Sequence, residues 1–485
     1  MSEYPLDPLP DQPRRRPRGR AGVAWLLLLM IVAFEVVLPL LRRLNEAPPP
    51  ARQSLMTSMQ VRYLMGASRL MGGSGEGLYA QAKPSLNTGP LDQRLPFLAL
   101  AGELAGPKEA LEQMKQIEHD MAQQGLQPTE GQAALFDILR RLFEDRAGGR
   151  PAAPSVSEEE RCQLTAEMGW SGRLALTPDD SPDKQARDAL VGQARRTSMA
   201  LLVLAVVWGV LGLAGLVALL LLLALLVTRN LRPFAPGPSG SGGVYVEGFV
   251  VYMATFLGLS LLRAILPLRG SELAYSAVAM VLALVAGLAW PVLRGIPWAR
   301  VRQDVGFTFG PHPLREIALG LVGYALVLPV FALGLLGTVG AMAVQRGLRG
   351  EGDPVQNFKP LEQPSHPIVD WIGGDSRATL LLIILVASIL APLVEETMFR
   401  GLLYRQLRDA TWRWGRVASF LVSALLVSFI FAVIHPQGLV AVPALMGLAM
   451  GLNLLREWRT SLVPSMIVHG LHNGLMTALL FQVMR

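Results

Sequence analysis

Apolar residues in this chain come in long unbroken runs, not in the alternation of a half-buried strand or the single stripe of an amphipathic surface helix. The first run, Val23 to Leu41, is long enough for one membrane crossing. Further runs follow near 199–227, 246–265, 274–293, 315–344, 377–399, 417–435, 439–455 and 462–483. The backbone inside a bilayer must satisfy its own hydrogen bonds, so the pattern predicts an all-α, polytopic membrane helical bundle of about nine spans.

The intervening segments divide the chain. Residues 1–22 form a basic tail carrying Arg14, Arg15, Arg16, Arg18 and Arg20, and 23–41 an uncleaved anchor helix, because no small-x-small cleavage site precedes Arg42 and Arg43. Residues 42–198 balance acids against bases and read as a mostly helical extramembrane domain. There Thr129 with Gln132 opens an amphipathic stretch (Leu135, Phe136, Leu139, Leu142, Phe143), and Ser157 with Glu160 repeats the capping box. A span with a basic end (199–232) and a Pro-Gly-Ser linker (233–245) lead to the bundle, 246–485. Arg229, Arg232, Arg294, Arg300, Arg302, Arg405, Arg408, Arg413, Arg416, Arg456 and Arg459 all fall in alternate loops, which makes those loops and the N-terminus cytoplasmic and puts 42–198 on the opposite side.

Composition agrees with a bilayer as solvent: 51% of the 485 residues are hydrophobic and 17% charged, and mean hydropathy is +0.38. The formal charge of +7 comes from Lys and Arg beside apolar runs, so the partner it implies is anionic lipid and no nucleic acid. Cys162 is the single cysteine, which excludes an intrachain disulfide and a Cys-based metal site. Chemistry is left to carboxylates, amides and histidines, and three of the six histidines are His435, His469 and His472.

Ionisable groups within hydrocarbon cost about 3 kcal/mol each on insertion scales and are functional candidates by default. Glu396 and Arg400 are four apart, share a helical face and can neutralise each other, whereas Glu395 points about 100° away and is left free, in a helix kinked or widened near Pro392. Pro436 biases His435 out of helical geometry. His469 and Asn473 share one face of the last helix. A carboxylate, two imidazoles and an amide can hydrolyse a peptide bond, with Glu395 and His435 deprotonating a water and His469 and Asn473 donating to the oxyanion. A metal is the other reading, with Glu395, His435 and His469 as Zn²⁺ ligands, although no H-E-x-x-H or H-x-x-E-H signature is present. The bland readings are a packing clamp for Glu396 with Arg400, an interhelical strut for His472, and helix association or an interfacial position for Glu35 and Glu247.

Glu395-Glu396-x-x-x-Arg400, Phe431-x-x-x-His435 and His469-x-x-x-Asn473, in that order on successive apolar helices, resemble the CPBP family, also called the Abi or CAAX-protease-like family. The likeness covers about residues 377–480 and excludes the 42–198 insertion. It implies a membrane-embedded endopeptidase in which Glu395 and His435 activate water and His469 with Asn473 forms the oxyanion site. Glu396, Arg400 and Phe431 then have supporting roles. No cofactor is required by that glutamate mechanism, Zn²⁺ being the alternative. The implied partners are a membrane protein or peptide substrate and the lipid bilayer, in a multi-pass protein of a bacterial inner membrane. A non-catalytic membrane scaffold or immunity-type protein, capturing an unknown partner through 42–198, is the competing class.

The topology carries one geometric demand. The 377 helix runs inward and the 417 helix outward, so Glu395 and His435 meet only if the first helix continues through Arg408 and the His435-Pro436 turn is sunken below the outer surface.

Overall fold

The computed structural model describes residues 19–45, 55–72, 75–228, 239–266, 271–310, 312–348, 358 and 377–484. The arginines of the tail before Gly19, Arg229, Arg232 and the linker up to residue 238 lie outside the described residues. Among the described residues every regular element is a helix.

Helix α1 (Ala21–Asn45) is the anchor. Helices α2 (Leu55–Met71), α3 (Glu76–Leu86), α4 (Leu91–Leu104), α5 (Pro107–Gln123), α6 (Glu130–Ala147) and α7 (Glu158–Leu176) build the domain that follows it. Both expected capping boxes are present, Thr129 with Gln132 opening α6 and Ser157 with Glu160 opening α7. Each satisfies two backbone N–H groups that a helix start leaves open. Amphipathic spacing then produces the core: Leu135, Phe136, Leu139, Leu142 and Phe143 of α6 pack with Leu95 and Leu98 of α4 and Met114 and Ile117 of α5.

Helix α8 (Lys184–Val227) is longer than the apolar run predicted. Its first turns place Leu190 and Ala194 in a second core of the domain, with Val61, Met65, Trp170 and Leu174. Its later turns expose Leu202, Val206, Val210 and Leu213, an apolar surface suited to lipid. No proline interrupts the sequence from 184 to 227, so the expected boundary at 198/199 falls inside one continuous helix. Domain and bundle are therefore joined by a rod.

The bundle consists of α9 (Val244–Ile265), α10 (Glu272–Leu293), the short α11 (Trp298–Val305), α12 (Pro313–Leu348), α13 (Arg377–Trp414), α14 (Arg416–Val433), α15 (Val442–Arg459) and α16 (Val463–Met484). Eight of the described helices are long and apolar enough to cross a membrane: α1, α8, α9, α10, α12, α13, α14 and α15. The protein is an integral, multi-pass membrane protein. Helix α16, the ninth expected span, is as long as α9 but carries His469, His472 and Asn473, which lower its hydropathy. Helix α12 lies along α15, and α9 along α10. Gly334 and Gly447 make the first of these contacts possible: a Cβ on Gly447 would stand 2.7 Å from the carbonyl of Val330.

Glu247, without a partner motif in the sequence, proves to be a junction. It accepts the backbone N–H of Arg20 at the start of α1 (2.5 Å), the indole N–H of Trp290 (2.9 Å) and the Arg294 guanidinium (3.1 Å). A carboxylate at a helix N-terminus also meets the positive end of the helix dipole.

Several arginines assigned to loops by the charge pattern are instead buried on helices. Arg405 and Arg408 lie in the last turns of α13 and Arg456 near the end of α15. Arg408 pairs with Glu457 at 2.8 Å, and Arg456 donates to the backbone oxygens of Arg400 and Asp304. A topological rule for charges places them at the cytoplasmic side but is blind to such networks.

In the domain built by α2–α7, Arg141 and the backbone N–H of Ser157 hold the Glu160 carboxyl down at about 2. The Ser155 hydroxyl and backbone N–H hold Asp145 below the usual carboxylate value. Groups whose folded pKa is depressed stabilise the fold above their unfolded value and lose that contribution as pH falls towards the folded one. The thermal midpoint of the domain, followed by circular dichroism in detergent, should therefore fall between about pH 4.5 and pH 2. Glu160→Gln should flatten that dependence.

Candidate active site

The catalytic candidates depend on irregularities in α13. Two stretches are π-helical, Val386–Leu390 and Glu396–Leu403, on either side of a short α-helical piece, Ala391–Glu395. Pro392 supplies the local reason. It has no N–H to return to the carbonyls four or five residues back, Ser388 and Ala387. The Ala387 oxygen takes its proton from elsewhere: Asn473 Nδ2 donates to it at 3.0 Å. The widening expected near Pro392 is thus present, and it is paired with a polar side chain from α16. The helix also continues past Arg408, to Thr411, before a final 3₁₀ turn.

Glu396 and Arg400 are both completely buried and 3.0 Å apart. Arg400 also donates to the Ala449 carbonyl at 3.2 Å and lies over the Phe431 ring, 4.6 Å from its centroid. Glu396 has a second contact that helical spacing did not show: its Oε1 is 2.8 Å from His469 Nδ1. An ionised carboxylate only accepts, so Nδ1 carries the proton and Nε2 faces the other way.

That other way leads to Glu395. His469 Nε2 and His435 Nε2 each lie 3.7 Å from the same oxygen, Glu395 Oε2. His435 follows the end of α14 in the turn before Pro436, with Nδ1 2.5 Å from the carbonyl of Phe431. A carbonyl can only accept, which puts the His435 proton on Nδ1 and leaves Nε2 as a lone pair turned to the carboxylate. The Phe431 ring packs on His435 at 4.0 Å between centroids.

Glu395, His435 and His469 therefore converge, and Asn473 sits one turn along α16 from His469 with one amide hydrogen engaged by Ala387. Glu396, Arg400 and Phe431 form the layer beneath them. His472 stands apart in an aromatic enclosure on the other side of α16. As to a metal, each histidine spends Nδ1 within the protein and offers only Nε2. That is also how a ligating imidazole is held, so Glu395, His435 and His469 fit Zn²⁺ by donor type, although among the described residues no trio has the close spacing of a formed metal site.

Comparison with known proteins addresses the same part of the chain. Residues 377–475 match the model of a family described as type II CAAX prenyl endopeptidase, Rce1-like. That segment is similar to the CAAX-protease family. The membrane-embedded CAAX protease MroQ of Staphylococcus aureus (strain USA300) is similar to it, 30% identical over 93 residues. The match takes in 19% of this chain and 37% of MroQ, so the chain aligns with little more than a third of its relative's length. No solved structure matches significantly. All the converging residues, Glu395, Glu396, Arg400, Phe431, His435, His469 and Asn473, lie inside the matched segment, and residues 42–198 lie wholly outside it.

Removing one member of a fully buried ion pair strands the other at a cost of about 3–5 kcal/mol. Arg400→Met should lower unfolding stability in bicelles by that amount. Glu396→Gln combined with Arg400→Met should cost less than the sum of the single changes, a coupling measurable by a double-mutant cycle.

Proposed function

We propose that the chain is an intramembrane endopeptidase that hydrolyses peptide bonds of membrane-associated or lipid-modified proteins. The observation that carries this reading is the approach of two imidazole nitrogens to one carboxylate oxygen, each at 3.7 Å. Such a separation is too long for a direct hydrogen bond and fits a bridging water. Glu395 Oε2 and His435 Nε2 are both acceptors, so the species that satisfies them is a water donating one proton to each. Its oxygen lone pair then points away from the protein groups, towards a substrate carbonyl.

In the proposed step Glu395 takes a proton from this water, and the water oxygen bonds to the carbonyl carbon. His469, its Nδ1–H held by Glu396, donates to the developing oxyanion through Nε2–H when in the imidazolium form, and the second amide hydrogen of Asn473 is its partner there. Collapse breaks the C–N bond, and the proton on Glu395 passes to the leaving amine. Glu396 acts as the orienting carboxylate of His469, with Arg400 neutralising it. The proposed topology has a cytoplasmic N-terminus and an extramembrane domain on the opposite side of a bacterial inner membrane, a reading that the Lys/Arg bias beside the spans supports.

Activity is to be read on a prenylated, internally quenched peptide ending in Cys-aliphatic-aliphatic-any residue, in proteoliposomes, alongside a membrane-proteome comparison for uncleaved proteins. Glu395→Gln and His435→Ala should each lower turnover by about 10²–10⁴-fold while insertion and melting stay as in the parent. Wild-type turnover by Glu395→Gln would sink the assignment. Activity should persist after dialysis against EDTA and 1,10-phenanthroline, and loss restored by Zn²⁺ would replace the glutamate mechanism with a metal-dependent one.

A further inference from the structure

Helix α16 presents polar groups on two faces. At about 100° per residue His469 and Asn473 lie about 40° apart, whereas His472 is turned about 60° from His469 to the other side. The first two face α13. His472 faces α8 and α12, where it is enclosed by rings. Trp208 of α8 stacks on it, centroids 5.8 Å apart and planes 14° from parallel. Phe331 of α12 meets it edge-on at 4.9 Å, and the Tyr324 hydroxyl lies 3.4 Å from Nδ1.

The opposite face of α16 is held just as closely. A Cβ on Gly470 would stand 2.4 Å from the Ser388 carbonyl in the widened part of α13. Helix α16 is thus wedged between a backbone contact on the catalytic side and a ring stack behind it. Its rotation about its own axis decides how far His469 Nε2 lies from Glu395. A turn of about 15° moves an atom roughly 6 Å from the axis by about 1.5 Å, and misplacement of about 1 Å can cost up to about 100-fold in rate.

We propose that Trp208 and His472 are positioning residues for the proposed hydrolysis: their stack fixes the rotation of α16, and with it the aim of His469 and Asn473. Because α8 runs unbroken from the domain core at Leu190 and Ala194 to Trp208, the same stack ties the extramembrane domain to the catalytic helix. This assignment rests on the endopeptidase reading for its effect on rate, and on geometry alone for its effect on α16.

The test uses full-length protein in bicelles, with Trp208→Ala and Trp208→Phe. Hydrogen exchange is read on peptides from α16, and kcat and KM on the prenylated peptide named above. Trp208→Ala should speed exchange around His469–Asn473 about tenfold and lower kcat about tenfold, with KM within about twofold and the parent's melting midpoint. Trp208→Phe, which keeps a ring, should recover most of both. Unchanged exchange across α16, a loss that the phenylalanine does not recover, or a fall in kcat that merely follows a lower melting midpoint overturns the proposal. Exchange needs no substrate, so an active Glu395→Gln would remove the catalytic reading and leave the lock to be judged on exchange.

Discussion

Glu396 and Arg400 are opposite charges with no access to solvent, in a segment that crosses a membrane. Neither can remain there alone, and the pair is not enough for all their lone pairs and N–H groups. Part of the remainder is met by three other helices: α15 through the Ala449 carbonyl, α14 through the face of Phe431, and α16 through His469, while Glu396 Oε2 and Arg400 Nε have no hydrogen-bond partner among the described residues. The need to compensate one buried pair thus draws together every helix that carries part of the candidate site. Glu395 owes its freedom to the same pair, because its neighbour takes the arginine.

The second device is the irregular backbone of α13. A regular α-helix would return the Ala387 and Ser388 carbonyls to donors of its own chain, but Pro392 withdraws one donor and the widened turns redirect the carbonyls sideways. Asn473 and the bare Cα of Gly470 occupy the space so created. Further along, Arg456 donates to the Arg400 carbonyl within the second widened stretch. In hydrocarbon an unpaired carbonyl is expensive, so such departures survive only where another helix answers them.

Much of this was legible in the sequence because it is local. The four-residue spacing identified Glu396 with Arg400 and set Glu395 apart, Pro436 took His435 out of the helix, and the two capping boxes marked the starts of α6 and α7. The contact of Glu396 with His469 was not legible, since it joins side chains 73 residues apart whose facing depends on tertiary packing. The same holds for the rings around His472, drawn from two helices, α8 and α12. Arg405, Arg408 and Arg456 were misplaced in loops because charge bias reports the side of the membrane and not burial. The continuity of α8 was missed because apolar runs reveal where lipid begins, while the helix itself begins in the polar stretch before it.

The seat of α1 bears on how the chain is assembled. Ala24 and Leu28 are buried against the bundle, and the N–H of Arg20, the residue before the helix, is held by Glu247, 227 residues further along the chain. During synthesis the anchor therefore enters the bilayer long before its pocket exists, surrounded by lipid on every side. Its high apolarity suits that solitary stage, and the capture by α9 and α14 comes afterwards, as a late docking of an already inserted helix.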